Sequence, residues 1–210
     1  ANPDAIIPLY IVEAAVKREV EQVDSEEVWG LDVSRGGADL CALAKRRGNI
    51  MPEPIKVWRS DDAMVTVGKV VAEYRDAKVK PTMICVDAIG LGAPVADRLA
   101  EQGLPIQCVN VSESHSINDR YLRLRDEMWE RTREWFFRRD CCIPDDDDLA
   151  SDLSGPKQKF RANNDYILES KSDMKSRGIR SSDLADALSL TFAFQEYFPE
   201  WAAPIKSKGW

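Results

Sequence analysis

The sequence predicts a mixed α/β domain: an antiparallel three-strand meander that runs on into parallel strands, flanked by helices and carrying an added β-hairpin. Three observations lead there. Short apolar runs separated by glycine turns fill residues 28–58, as in strands joined by hairpins. The spacing then becomes helical over 61–78 and 92–102, and each helix is followed by a compact apolar run, at 82–90 and 105–111. Finally, 210 residues at 44% hydrophobic content suit one core, because single cores stop growing at roughly 250–300 residues.

Taken in order, a helix is expected from Pro8 to Val23, where Leu9, Ile11, Val12, Ala15, Val16 and Val20 recur near helical spacing. Residues 28–34 (VWGLDVS) read as a buried strand, Arg35-Gly36-Gly37 as its turn and 39–46 as the antiparallel partner. A third strand over 50–58 carries Pro52 and Pro54, which suits an edge or bulged position. The helix at 61–78 opens on Asp61-Asp62, favourable charges for a first turn. TMICVDAIG at 82–90 has the continuous apolar character of a central parallel strand covered on both faces, and PIQCVNV at 105–111 is the last strand of the series.

Beyond it, 118–139 reads as a long charged helix on which Arg and Glu pair four apart, a solvated face. Asp145 to Asp148 read as a solvated loop, 157–161 and 165–169 as a hairpin turning at Asn163-Asn164 or Asn164-Asp165. A closing helix is expected from Ser182 to Tyr197, and 199–210 as a loose tail.

Composition narrows the function. No apolar run approaches the ~18–20 residues of a membrane span, and no secretory leader pattern opens the chain. The start at Ala1 suggests a piece of something longer. Five cysteines without C-x-x-C spacing argue against a zinc ribbon or disulfide scaffold and for a reducing, cytoplasmic setting. With 29 basic against 36 acidic residues, the net charge of −7 speaks against a general nucleic-acid coat, but not against an enzyme that gathers carboxylates around metal ions.

Such a gathering is readable. Asp32 ends a strand that otherwise reads as buried, and Asp87 sits at the carboxyl end of a parallel strand, where open α/β sheets place functional groups. Asp183 and Asp186 lie three apart at a helix start. Each has a plainer reading as a cap or turn carboxylate, the favoured one for Asp32 taken alone and evenly balanced for Asp183. Asp186 is embedded among Ala185, Ala187 and Leu188 and asks for a cation. Together they suit two divalent ions of the hard, oxygen-seeking kind, Mg²⁺ or Mn²⁺, because the single histidine, His115, stands in a polar loop. The Gly90-Leu91-Gly92 run fails the G-x-G-x-x-G pattern and gives only weak support to a nucleotide-binding enzyme.

The motifs WGLDVSRGGAD (29–39), ICVDAIGLGAPVADRL (84–99) and KSRGIRSSDLADAL (175–188) resemble the ribonuclease H-like nucleases, and in particular the C-terminal nuclease domain of the large terminase subunit of tailed double-stranded DNA bacteriophages. The resemblance spans about residues 3–198, with Ser182 where that family often has proline. It implies a ribonuclease H-like domain over 28–198, an N-terminal helical arm or linker over 1–27 and a C-terminal tail over 199–210. It further implies an endonuclease that cuts concatemeric viral DNA during genome packaging, with Asp32, Asp87 and Asp186 as metal-binding acids and Asp183 as accessory. The ATPase motor of such subunits has no G-x-x-x-x-G-K-[ST] loop here, so it is expected elsewhere in a full-length chain. Double-stranded DNA, portal protein and small terminase subunit are the implied partners, and the cytoplasm of an infected bacterium the implied setting.

Residues 155–180 carry seven basic against three acidic side chains, a local +4 beside the last motif. Lys157, Lys159, Arg161, Lys171 and Lys175 are accordingly the expected phosphate contacts. The competing readings are a structure-selective, Holliday-junction-type resolvase of the same superfamily and an inert interaction module whose aspartates are caps.

Overall fold

Five strands build the central sheet: β1 (Glu27–Asp32), β2 (Cys41–Arg47), β3 (Lys56–Trp58), β4 (Met83–Asp87) and β5 (Ile106–Val109). In space they run β3-β2-β1-β4-β5. β1 is antiparallel to β2 and parallel to β4, and β4 is parallel to β5. The mixed sheet expected from the sequence is therefore present, with β1 at its centre and buried along its whole length. The computed structural model describes residues 4–34, 36, 39–112, 121, 123–160 and 166–193.

Helices cover both faces. On one lie α2 (Ala63–Asp76) and α3 (Gly92–Glu101), whose Val67, Val70, Val95 and Leu99 pack on Trp29, Leu31, Ile84 and Val86 of the sheet. On the other lie α1 (Leu9–Val16), α4 (Leu124–Phe137), α5 (Asp147–Ser154) and α7 (Asp183–Leu190). Each fully buried Leu, Ile or Phe in these layers contributes roughly 1.5–3 kcal/mol. Among the described residues no helix is long and apolar enough to cross a membrane.

The alternation of the strands sorts the side chains. Trp29 and Leu31 face α2 and α3, so Val28, Gly30 and Asp32 face α7. A Cβ at residue 30 would come within 1.9 Å of the Ala187 carbonyl oxygen, so only glycine lets α7 lie directly on the β1 backbone. Gly92 plays a matching part: its Cβ would be 1.6 Å from the Asp87 carbonyl oxygen, and Gly90 takes a left-handed φ of 66°. These two glycines turn the chain sharply from β4 into α3, which is the use the Gly90–Gly92 run has here.

Several elements differ from expectation. Helix α1 stops at Val16 rather than Val23, because the following backbone is claimed by a distant side chain: Asn49 accepts from the Val23 amide at 3.0 Å and donates to the Glu21 carbonyl at 3.0 Å. The segment expected as an arm packs into the body, with Ile6, Ile7, Ile11, Val12 and Ala15 buried beside Trp129 and Leu153. β3 is confined to three residues because the prolines upstream donate no ladder hydrogen bonds. Helix α4 is half-buried rather than solvated, although Arg123–Asp126 and Arg131–Glu127 do pair along it. The aspartate run is a helix start: Asp146 caps α5, accepting from the amides of Asp148 at 2.9 Å and Leu149 at 3.0 Å.

The hairpin is formed by β6 (Gln158–Phe160) and β7 (Tyr166–Leu168), and its turn lies outside the described residues, as do His115, Arg161 and the tail. Its base is pinned by Asp126, which accepts the Leu168 amide at 2.9 Å, and by buried Glu169, paired with Arg177. A short helix outside the expected elements, α6 (Lys171–Ser176), leads from the hairpin to α7. The closing helix runs over Asp183–Leu190, and the positions expected to extend it from 194 onward are outside the described residues.

Candidate metal centre

Sheet register brings the first two acids together. Leu31 of β1 is level with Val86 of β4, so the next residues, Asp32 and Asp87, stand side by side at the carboxyl ends of adjacent parallel strands, on the face toward α7. The close approach at Gly30 then sets the first turn of α7 against them. That turn carries Asp183 and Asp186, both buried. Helix α7 is held in place at its start by Asp152 of α5, which accepts the Leu184 amide at 2.9 Å, and at its end by Arg46 of β2, which donates to Thr191 Oγ1 at 2.8 Å and to the Thr191 carbonyl at 2.9 Å.

All four aspartates line one open cavity of about 400 Å³, together with Lys171, Arg123 and Arg125. The Lys171 ammonium group stands among three of them, 3.0 Å from Asp186 Oδ2, 3.8 Å from Asp183 Oδ1 and 4.0 Å from Asp32 Oδ2. Among the described residues no three carboxylate, imidazole or thiolate groups close tightly enough to enclose an ion as they stand. The ammonium spacing is wider than the 2.0–2.6 Å of metal–oxygen bonds. Lys171 nevertheless marks a point at which three buried carboxylates converge on one positive charge. The donor set is oxygen only, which fits a hard divalent ion and not zinc.

Electrostatics agree with a site short of positive charge. Burial pushes the Asp32 carboxyl up to about 8; Lys171 lowers it, and the negative charges of Asp186, Asp183 and Asp87 add to the rise. Burial likewise raises Asp87, partly offset by the Ile89 amide it accepts. Asp186 is also buried, but Lys171, Arg125 and the Trp129 indole outweigh that cost and hold its carboxyl below the usual range. Lys171 is raised above the ordinary lysine value, chiefly by Asp186.

The expected phosphate contacts are more scattered. Lys171 points into the acid cluster. Lys157 and Lys159 lie on the hairpin, where they pair with Asp4 at 3.5 Å and Asp173 at 2.7 Å, and Lys175 is exposed on α6. Residues with no functional signature of their own in the sequence complete the site. Trp129 and Arg125 both donate to Asp186 Oδ1, at 2.8 Å and 3.3 Å, and Ser182 donates to Oδ2 at 3.1 Å. The signal for the first two was their spacing of four on α4, which sets them on one helix face.

No protein-family model matches the sequence, and no curated protein matches it. Solved structures do. The nuclease domain of the large terminase subunit gp2 of bacterial virus Sf6 superposes with a TM-score of 0.74 at 20% identity, covering 89% of this chain and 97% of that one. A lysine-to-alanine variant of the same domain, with manganese and beta-thujaplicinol, gives a TM-score of 0.75 at 20% identity over 89% and 97%. The large terminase nuclease of thermophilic phage G20c with bound magnesium gives 0.67 at 12% identity over 92% and 98%. Likeness at this level of identity speaks to architecture, and the chain has the ribonuclease H-like fold of phage large terminase nuclease domains.

Proposed function

We propose that this chain is a divalent-metal-dependent DNA endonuclease that cuts concatemeric viral DNA during genome packaging, with little sequence specificity. The observation that carries the reading is the convergence of buried Asp32, Asp183 and Asp186 on the single positive charge of Lys171, with Asp87 on the same cavity. The likeness to terminase nuclease domains, two of them with manganese or magnesium, supports it. Asp32, Asp87, Asp183 and Asp186 would hold two Mg²⁺ or Mn²⁺ ions. When bound, such ions lower the pKa of a coordinated water and stabilise charge on the phosphate and the leaving 3′-oxygen.

The chain's own residues do the rest. The carboxyl ends of β1 and β4 hold two acids on main chain that is hydrogen-bonded on both sides, and α7 supplies the others from a helix with every residue buried. Arg123, Arg125 and Lys171 give the cavity a positive wall for a phosphate oxygen. Lys157, Lys159, Arg161 and Lys175 extend this toward the DNA backbone, contacts that position DNA without reading sequence. The proposed context is a full-length terminase subunit with an ATPase motor, portal and small-subunit partners, acting in the cytoplasm of an infected bacterium.

The test is nicking of supercoiled plasmid in Mg²⁺ or Mn²⁺. Asp32→Asn and Asp186→Asn should each reduce the rate by about two orders of magnitude or more. Cleavage at the wild-type rate by both variants would sink the assignment.

A further inference from the structure

Four donors surround Asp186, divided between its two oxygens. Oδ1 accepts the Trp129 indole N–H at 2.8 Å and an Arg125 N–H at 3.3 Å. Oδ2 accepts the Ser182 hydroxyl at 3.1 Å and faces the Lys171 ammonium at 3.0 Å. Trp129 is fully buried, so Oδ1 is turned into the protein while Oδ2 faces the space shared with Asp32 and Asp183. Asp183 repeats the division, with Oδ2 accepting the Leu40 amide at 2.8 Å and Oδ1 on the Lys171 side at 3.8 Å.

We propose that Trp129, supported by Arg125, is a positioning residue that restricts Asp186 to coordination through Oδ2 and thereby tunes the site toward small octahedral divalent ions and against calcium. The inference rests on the metal-centre reading of this cavity. Mg²⁺ and ions of similar size take six ligands in near-ideal octahedra, commonly one oxygen per carboxylate. Ca²⁺ takes six to eight oxygens at longer distances and often both oxygens of one carboxylate. Both lone pairs of Oδ1 are taken, so for Asp186 to offer both oxygens Oδ1 must give up the Trp129 indole or the Arg125 guanidinium and leave that donor without its acceptor. A buried, charge-assisted hydrogen bond of that kind is worth about a tenfold difference in affinity or more.

The experiment titrates Mn²⁺ and, separately, Ca²⁺ into the 210-residue chain and its Trp129→Phe variant by isothermal calorimetry. Phenylalanine keeps a buried aromatic ring and removes the donor, together with part of the indole's volume, so folding of the variant is checked first. The expected result is a Ca²⁺ affinity, relative to Mn²⁺, about tenfold higher in the variant. An unchanged ratio in a folded variant overturns the positioning role while leaving the metal centre standing. Failure of the wild-type chain to bind Mn²⁺ overturns both. Should the variant not fold, the wild-type indole ¹⁵N–¹H resonance of Trp129 decides: it should keep its hydrogen-bonded position through saturation with Mg²⁺. Its movement to the position of a free indole overturns the proposal.

Discussion

Replacing Asp32 by asparagine should make the metal-free protein more stable, and more so as pH rises. The Asp32 carboxyl titrates near 8 in the fold against 3.8 for the ordinary side chain. Between those values the native state holds a proton that the unfolded chain has released, so stability falls as pH rises through this window. Each pH unit is worth about 1.4 kcal/mol, so the burden of Asp32 is about 1–2 kcal/mol at pH 5 and roughly 4 kcal/mol at pH 7. Asparagine has almost the same shape and no charge to bury. The depressed Asp186 acts in the opposite sense but only below 3.8, outside the window. Asp152, raised to about 7 by burial against the pull of Arg180, weakens both proteins alike and drops out of the difference. The assay is urea unfolding followed by far-ultraviolet circular dichroism in EDTA at pH 5, 6, 7 and 8. The gap between variant and wild type should widen by about 1.4 kcal/mol per unit between pH 5 and 7 and by less toward pH 8, and saturating Mn²⁺ should narrow it by stabilising only the wild type. A gap that is constant across pH would refute the account of Asp32 as a buried carboxylate short of counter-charge.

Two further substitutions test the frame. Lys171→Ala removes the positive charge among the acids, and because the lysine stem is half-exposed the metal-free cost should be only about 1–2 kcal/mol, or roughly 3–6 °C in thermal midpoint. Saturating Mn²⁺ should erase that deficit, and a deficit that persists would mean that Lys171 does not stand in for a cation. Gly30→Ala drives a methyl group onto the Ala187 carbonyl and should cost about 3 kcal/mol or more together with metal-dependent nicking. Gly68→Ala in α2, where a Cβ meets nothing within 4 Å, should raise stability by roughly 0.5–1 kcal/mol. Equal thermal midpoints for the two glycine variants would overturn the close-approach argument.

The parts of the fold that could be read from sequence are those where one physical demand dominates. β1 and β4 are buried on both faces, with apolar runs over 28–31 and 83–86, which makes the aspartates that end them conspicuous. Helices α2 and α3 pack by one face only and so show their period. Legibility fails where tertiary partners overrule local pattern. Asn49 takes the backbone that would have prolonged α1, and neither Glu21 nor Val23 signals it. Asp146 is a helix cap inside a run that reads as a solvated loop. Arg125 and Trp129 are separated from Asp186 by about sixty residues, and on α4 they resemble members of a charged amphipathic pattern until the helix is docked. Sequence shows which carboxylates are out of place, whereas the donors that orient them emerge only when the helices are assembled.

The contact at Gly30 also bears on control. Because α7 touches β1 main chain to main chain, and every residue of that helix is buried, there is no hinge or side-chain cushion between the acids of the strand and those of the helix. Packing this close should make the two halves of the proposed centre move together. Such a centre is poorly suited to being switched by pulling its carboxylates apart. Timing of the cut would then fall to the route by which DNA reaches the cavity, a gate at the entrance rather than an adjustment of the blade.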